Sequence, residues 1–263
     1  MERGNTAKIR VDQVAFSYQS ENILDGINLE IAEGDFVCIL GSSGCGKSTL
    51  LSLLEGLNYP DKGTVTIDGE PIRKPGLDRS VVFQDYSLFP WMSTGKNILL
   101  ALKQRFPKTP DRELKERVNH YFRLVELDGV YDKLPGELSG GMRQRAAIAR
   151  AFSLEAPVML MDEPFGALDA ITRNTLQDLL TELWRKERNT IVFVTHDVDE
   201  ALFMASRIII LGEGKVKMDI PIKNKNTVIK ELYLRDELIV KLKGQILSYL
   251  NESEKEKTIP YYI

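Results

Sequence analysis

The apolar positions of this chain follow two rhythms. Near the start the rhythm is that of strands: Ile9 and Val11, then Val14, Phe16 and Tyr18, alternate with other residues, and Phe36-Val37-Cys38-Ile39-Leu40 is an unbroken apolar run. Alternation predicts half-buried strands over residues 8–11 and 14–18, and the unbroken run predicts a strand buried on both faces. Gly63-Thr64-Val65-Thr66-Ile67 alternates again and ends in Asp68-Gly69, a tight-hairpin dipeptide. From 86 to 153 the period lengthens. Leu114, Val118, Phe122 and Val125 recur at helical spacing behind Thr109-Pro110, which reads as a hydroxyl cap followed by a first-turn proline. From 157 to 211 strand-like runs (158–161, 190–195, 207–211) alternate with helical stretches (170–188, 198–205). That order predicts parallel strands joined by crossover helices. The tail from 221 carries mixed charge with helix-like stretches and turns polar over 252–257. No internal repeat or low-complexity segment interrupts the pattern.

Composition narrows the function. The chain has 263 residues, 43% apolar and 28% charged, with a formal net charge of −3. A core of this size needs no covalent staples. The acidic balance argues against a sequence-independent nucleic-acid binder, which needs a basic face. Cys38 and Cys45 stand without a CxxC pair or histidine cluster, so a zinc site is not expected and a reducing compartment is. Residues 1–11 lack the apolar stretch of a signal peptide. The longest apolar runs are of strand length, well short of the ~20 residues that span a bilayer. A role at a membrane would need other chains to cross it.

Gly41-Ser42-Ser43-Gly44-Cys45-Gly46-Lys47-Ser48 fits the phosphate-loop pattern, with a buried strand before it and an apolar helix over 49–55 after it. Glycines let backbone N–H groups turn toward an anion, and the helix N-terminus adds positive charge. Lys47 suits β- and γ-phosphate oxygens, the Ser48 hydroxyl suits Mg²⁺, and Thr49 closes the contact set. Cys45 fills a wildcard position, with a redox-sensing role as the other reading. After the run 158–161 come Asp162 and Glu163, at a strand's C-terminal end where α/β sheets place ligands. Asp162 suits Mg²⁺ and Glu163 a general base. His196 also ends a strand; it is a γ-phosphate contact or a structural histidine. His120 lies in an amphipathic helix and reads as partly exposed surface.

Leu138-Ser139-Gly140-Gly141-Met142-Arg143-Gln144-Arg145 reads physically as a Ser-capped helix start over a helix of about 142–151. It is either just that or a second anion site, which one phosphate loop does not call for. The segment resembles the signature of ABC-type ATPases, and the resemblance extends over roughly residues 8 to 250. It implies an α/β P-loop NTPase: a mixed-sheet core with an N-terminal antiparallel β subdomain (1–85 and 154–220), an inserted helical subdomain (86–153) and a C-terminal helical tail (221–263). It further implies a head-to-tail dimer of two copies. In that dimer Ser139, Gly140 and Gly141 of one chain close on Mg-ATP held by the loop of the other. Tyr18 is similar to the family's adenine-stacking aromatic, its other reading being an edge-strand aromatic. Gln84 resembles the glutamine linking Mg²⁺ and water to the helical segment, Asp169 the aspartate that crosses the interface, and Thr195-His196-Asp197 the histidine switch.

Leu88-Phe89-Pro90-Trp91, Asp162 to Ala170 and Thr195 to Ala201 are similar to importer subunits of the nitrate, sulfonate and taurine group. That group also includes importers of bicarbonate and vitamin precursors. The likeness implies transmembrane permease partners, indirect work with an extracytoplasmic solute-binding protein, and a peripheral place on the cytoplasmic face of the membrane. Trp91 is either a wall of the permease socket or a core residue of the helical segment. Three competing readings are an ABC-type ATPase serving nucleic acid or ribosomes, a P-loop kinase, and a silent nucleotide-binding subunit. The first is disfavoured by the single cassette and acidic charge. The kinase leaves Gln84 and 139–145 without a role, and intact Lys47, Glu163 and His196 oppose the silent subunit.

Overall fold

The structure is a computed structural model that describes residues 7–222 and 230–257. In chain order its elements are β1 (Ala7–Tyr18), β2 (Glu21–Ala32), β3 (Phe36–Leu40), α1 (Lys47–Glu55), β4 (Lys62–Ile67), β5 (Glu70–Pro71), β6 (Arg79–Val82), α2 (Thr94–Arg105), α3 (Asp111–Leu124), α4 (Gly140–Ser153), β7 (Val158–Asp162), α5 (Ala170–Glu187), β8 (Thr190–Val194), α6 (Val198–Met204), β9 (Arg207–Gly212), β10 (Lys215–Pro221), α7 (Lys230–Tyr233) and α8 (Glu237–Lys257). The expectation of no leader at the N-terminus falls partly on residues 1–6, and Tyr261-Tyr262-Ile263 falls wholly beyond 257, so these lie outside the described residues.

The chain divides into two units, Met1–Pro75 with Thr190–Ile263, and Gly76–Asn189. The first unit holds an antiparallel sheet in the order β2-β1-β4-β5. The two strands expected at 8–11 and 14–18 are one strand. Val11 pairs with Leu29 and Val14 with Ile27, so β1 spends one residue more than β2 between the pairs, and Gln13 there has φ 48°. This bulge brings Ile9, Val11, Val14 and Phe16 onto one buried face, despite the uneven gap in their spacing. The same unit holds β10-β9-β3-β8, where β3 runs parallel to β8 and β9 and β10 is antiparallel to β9. All five residues of β3 are buried, as a strand covered on both faces requires. Helix α1 buries Leu50, Leu51, Leu53 and Leu54, and α8 buries Ile246 while Lys243 meets Asp199 of α6 at 2.7 Å.

In the second unit β6 and β7 are parallel, with Val82 opposite Met161. Helix α4 packs on β6 and against α2, α3 and α5. Its buried residues Ala146, Ala147, Ile148, Ala149, Ala151 and Phe152 leave little of it outside the core. The expected helical face of α3 is buried through Leu114, Val118 and Phe122, with Val125 just beyond. Its expected start is corrected. Pro110 is the residue before the helix, extended at ψ 144°, and Thr109 caps nothing. Asp111 and Glu113 in the first turn supply negative charge to the open N–H groups instead. Helices α1 and α4 each begin two residues earlier than their sequence signals, at Lys47 and Gly140. Among the described residues no helix is long and apolar enough to cross a membrane.

Candidate functional site

In the first unit, β3 runs straight into the loop 41–46. Lys47 is buried, and its ammonium donates to the carbonyls of Gly41 at 2.8 Å and Ser42 at 3.0 Å, which fixes it across the loop. A Cβ on Gly41 would lie 2.5 Å from both the Cys45 sulfur and the Leu211 carbonyl oxygen. Gly46, at φ 105°, precedes α1 where only glycine turns without strain. Cys45 is buried against Gly41, and neither Cys45 nor Cys38 is in a disulfide. Ser43, Gly44 and Ser48 face outward, Thr49 is half-buried and Ser42 is buried. The loop is therefore a backbone cradle with a cation at its base and N–H groups of a helix start at its rim. Its donor set suits a polyphosphate.

Two further residues of this unit belong to the expected site. The Thr195 N–H donates to the Ile39 carbonyl, so His196 leaves β8 at the same sheet edge as Gly41 leaves β3. His196 is exposed. Tyr18 ends β1 with a half-exposed ring set edge-on to Phe16 at 4.8 Å, its hydroxyl accepting from the Asn58 amide.

In the second unit the parallel register places Gln84 and Glu163 just past the same ends of β6 and β7. A Cβ on Gly166 would sit 3.4 Å from the Gln84 amide nitrogen and 3.9 Å from a Glu163 carboxylate oxygen, so both side chains converge there. Glu163 has φ 40°, a conformation that a side-chain-bearing residue adopts only when its surroundings hold it. Asp162 is half-buried at the end of β7, a hard oxygen donor of the type Mg²⁺ takes. Asp169 caps α5, accepting from Ile171 N–H at 3.1 Å and Thr172 N–H at 3.0 Å. The Thr172 backbone bond, then its side-chain bond, holds the Asp169 carboxyl below its ordinary value. Ser139 is exposed and caps α4, accepting from Met142 N–H at 3.3 Å. Gly141 lies against Thr172, so the turn 139–141 and the Asp169 loop are neighbours within this unit.

Trp91 is 74% exposed and does not pack the helical core. Its ring centroid lies 5.2 Å from that of Phe89. Asn97, unnoticed in the sequence, holds this turn. Buried on α2, it accepts from Phe89 N–H and donates to the carbonyls of Phe89, Met92 and Ser93. An asparagine inside an apolar helical pattern is the signal that would have found it. Tyr86 and Arg150, which the sequence does not single out, and Arg143 of the segment 138–145 connect the Gln84 loop to α4. His120 is exposed, as its helical position predicted.

A family model described as ABC transporter matches residues 24–166. The nitrate import ATP-binding protein NrtD of Synechococcus elongatus is 44% identical over 232 residues, covering 86% of this chain and 84% of the relative. The bicarbonate transport ATP-binding protein CmpD of Synechococcus elongatus is 44% identical over 215 residues, covering 80% of this chain and 77% of the relative. A solved dimeric ATP-binding cassette, in a post-hydrolysis state bound to ADP and Pi, superposes with a TM-score of 0.72 at 32% identity. It spans 82% of this chain and 99% of its own.

Proposed function

The chain belongs to the ABC transporter family and is an ATPase of that family, and from this premise we propose that it powers an importer of a small anion as one half of a two-ATP dimer. The observation that carries the dimer is the turn 139–141. It is a capped helix start, with Ser139 exposed and both glycines half-buried, on a chain that already owns one phosphate loop. A second copy of the chain would complete it, with Asp169 lining the shared face.

Each chain residue then has a task. Tyr18 offers its ring face to the base. Lys47 and the N–H groups of the loop take the charge on the phosphates. Ser48 and Asp162 would hold Mg²⁺, which would supply charge neutralisation at the transferring phosphoryl group. Glu163 accepts the proton of the attacking water as its oxygen bonds to the γ-phosphorus, and ADP leaves. His196 donates toward the γ-phosphate, and Gln84, with a neutral amide beside Glu163, positions water and cation. Gly140 and Gly141 of the partner exclude bulk water from the same phosphate.

The relatives named for nitrate and bicarbonate support a small oxyanion or sulfonate-like solute, chosen by separate permease and solute-binding subunits. The exposed Phe89-Trp91 pair, held from behind by Asn97, fits a permease's short helix at the cytoplasmic face of the membrane. In this reading 86–153 is the helical subdomain that bears the contact, 1–85 with 154–220 the nucleotide-holding core, and 221–263 the tail.

Glu163→Gln tests the reading. With Mg-ATP the variant should bind nucleotide, hydrolyse it far more slowly and sediment as a dimer. A variant that binds ATP yet stays monomeric at saturation overturns it.

A further inference from the structure

Tyr86 and Ser87 follow Gln84 with φ of 66° and 44°, two consecutive left-handed residues that both carry side chains. Such a pair does not persist without being held. Arg150 holds it, donating from one nitrogen to the Ser87 carbonyl at 2.6 Å and from another to the Tyr86 carbonyl at 3.3 Å. The conformation aims the Tyr86 side chain at the start of the same helix. The Arg143 guanidinium lies over the Tyr86 ring, 5.4 Å from its centre, and also donates to the Leu138 carbonyl at 2.8 Å, one residue before Ser139. At the far end of the ring, the Tyr86 hydroxyl is 3.4 Å from where a Cβ on Gly140 would be. One side chain thus meets the signature turn at Gly140 and, through Arg143, just beyond it, from the loop whose Gln84 converges with Glu163.

We propose that Tyr86 is a positioning residue that locks the signature turn 139–141 to the Gln84 loop of its own chain, so that the surface offered to a partner's ATP is set by the loop serving this chain's own nucleotide. The inference rests on the two-ATP dimer proposed above. Its physical basis is a shared cation. Arg143 divides its guanidinium between a ring face and the Leu138 carbonyl, and without the ring it is free to turn away and release that carbonyl. Arg150, together with Asp85, whose carboxylate accepts from the Ser87 N–H and hydroxyl, fixes the loop, and neither reaches residues 138–140.

The test uses Glu163→Gln as parent, so that ATP-driven dimers accumulate, and reads sedimentation velocity against ATP concentration beside calorimetric ADP binding. Adding Tyr86→Ala should leave ADP affinity unchanged and raise the ATP needed for half-maximal dimerisation about tenfold, the scale of one lost cation–π contact. Tyr86→Phe keeps the ring and should behave as the parent. Tyr86→Gly relieves the backbone but lacks the ring, and should dimerise as poorly as Tyr86→Ala. Overturning results are a Tyr86→Ala variant that dimerises at the parent's ATP concentration, or one that loses ADP binding in step. A Tyr86→Gly variant that recovers dimerisation also overturns it, since strain rather than the ring is then responsible. If the parent itself fails to dimerise, the two-ATP reading falls and this one with it. A dimerising parent with an unaffected Tyr86→Ala removes this one alone.

Discussion

Thr195 donates its hydroxyl to the Glu200 carboxylate at 2.6 Å, and both residues are buried. The same hydroxyl accepts the Asp197 N–H at 3.0 Å, so the turn carrying His196 is closed from both sides by one oxygen. Thr195→Val keeps the shape and removes the oxygen. Two partners lose a bond each, which costs about 1–3 kcal/mol. Urea unfolding should show that loss, and kcat for ATP should fall while KM stays nearly constant, because the phosphate loop is untouched. Unchanged kcat would mean the turn does not depend on this hydroxyl.

The two glycines of the signature turn are glycine for different reasons. A Cβ on Gly141 would press to 2.5 Å from the Thr172 methyl carbon of its own chain, whereas a Cβ on Gly140 meets its nearest neighbour, the Tyr86 hydroxyl, at an ordinary 3.4 Å. Gly141→Ala should therefore lower stability by about 1–3 kcal/mol, as overpacking does. Gly140→Ala should melt close to wild type yet abolish ATP-driven dimerisation, since only a partner's phosphate needs that space. A Gly140→Ala protein that dimerises normally would count against the sandwich.

Asn97 and Trp91 separate folding from coupling. Asn97→Ala removes the amide that accepts from the Phe89 N–H and donates to the carbonyls behind the turn, and should cost about 2–4 kcal/mol. Trp91→Ala removes a side chain 74% exposed and should change stability by no more than about 0.5 kcal/mol. ATPase activity of the isolated subunit should survive Trp91→Ala, while ATP-driven uptake by the assembled transporter should fail. Uptake at the wild-type rate would place the permease contact elsewhere.

How much of this was legible beforehand depends on the kind of signal. The places of the loop 41–48 after β3 and of Asp162 and Glu163 at the end of β7 were readable because a strand covered on both faces shows as an unbroken apolar run. The signature cap at Ser139 was readable locally as well. The joining of 8–11 and 14–18 into β1 was not, because a bulge is visible only in the partner strand's register, where Val11 and Val14 meet Leu29 and Ile27. Pro110 was misplaced by one residue because its fixed φ fits the helix start and the residue before it alike, and ψ decided. The contacts of Tyr86, Arg143 and Arg150 were not legible because their partners are carbonyls and a ring distant in sequence, which no local pattern encodes.

Asp169 gives the fold of the second unit an acid-dependent element whose sign is set by its cap. The Thr172 N–H bond, then the bond from the Thr172 side chain, favours the carboxylate, so its folded pKa lies below the ordinary 3.8. A carboxyl depressed on folding contributes fully above the unfolded value and loses that contribution as pH falls through the folded value. The Asp169→Asn substitution keeps a cap oxygen without the charge, since asparagine is also a good helix cap. Wild type should therefore melt above Asp169→Asn at neutral pH, and the gap between them should close only below about pH 4. Thermal melts of both proteins from neutrality down to strong acid measure it directly. A gap that closes near neutrality would assign the effect to a histidine instead, and one that persists in strong acid would show that the charge on Asp169 contributes nothing to the α5 cap.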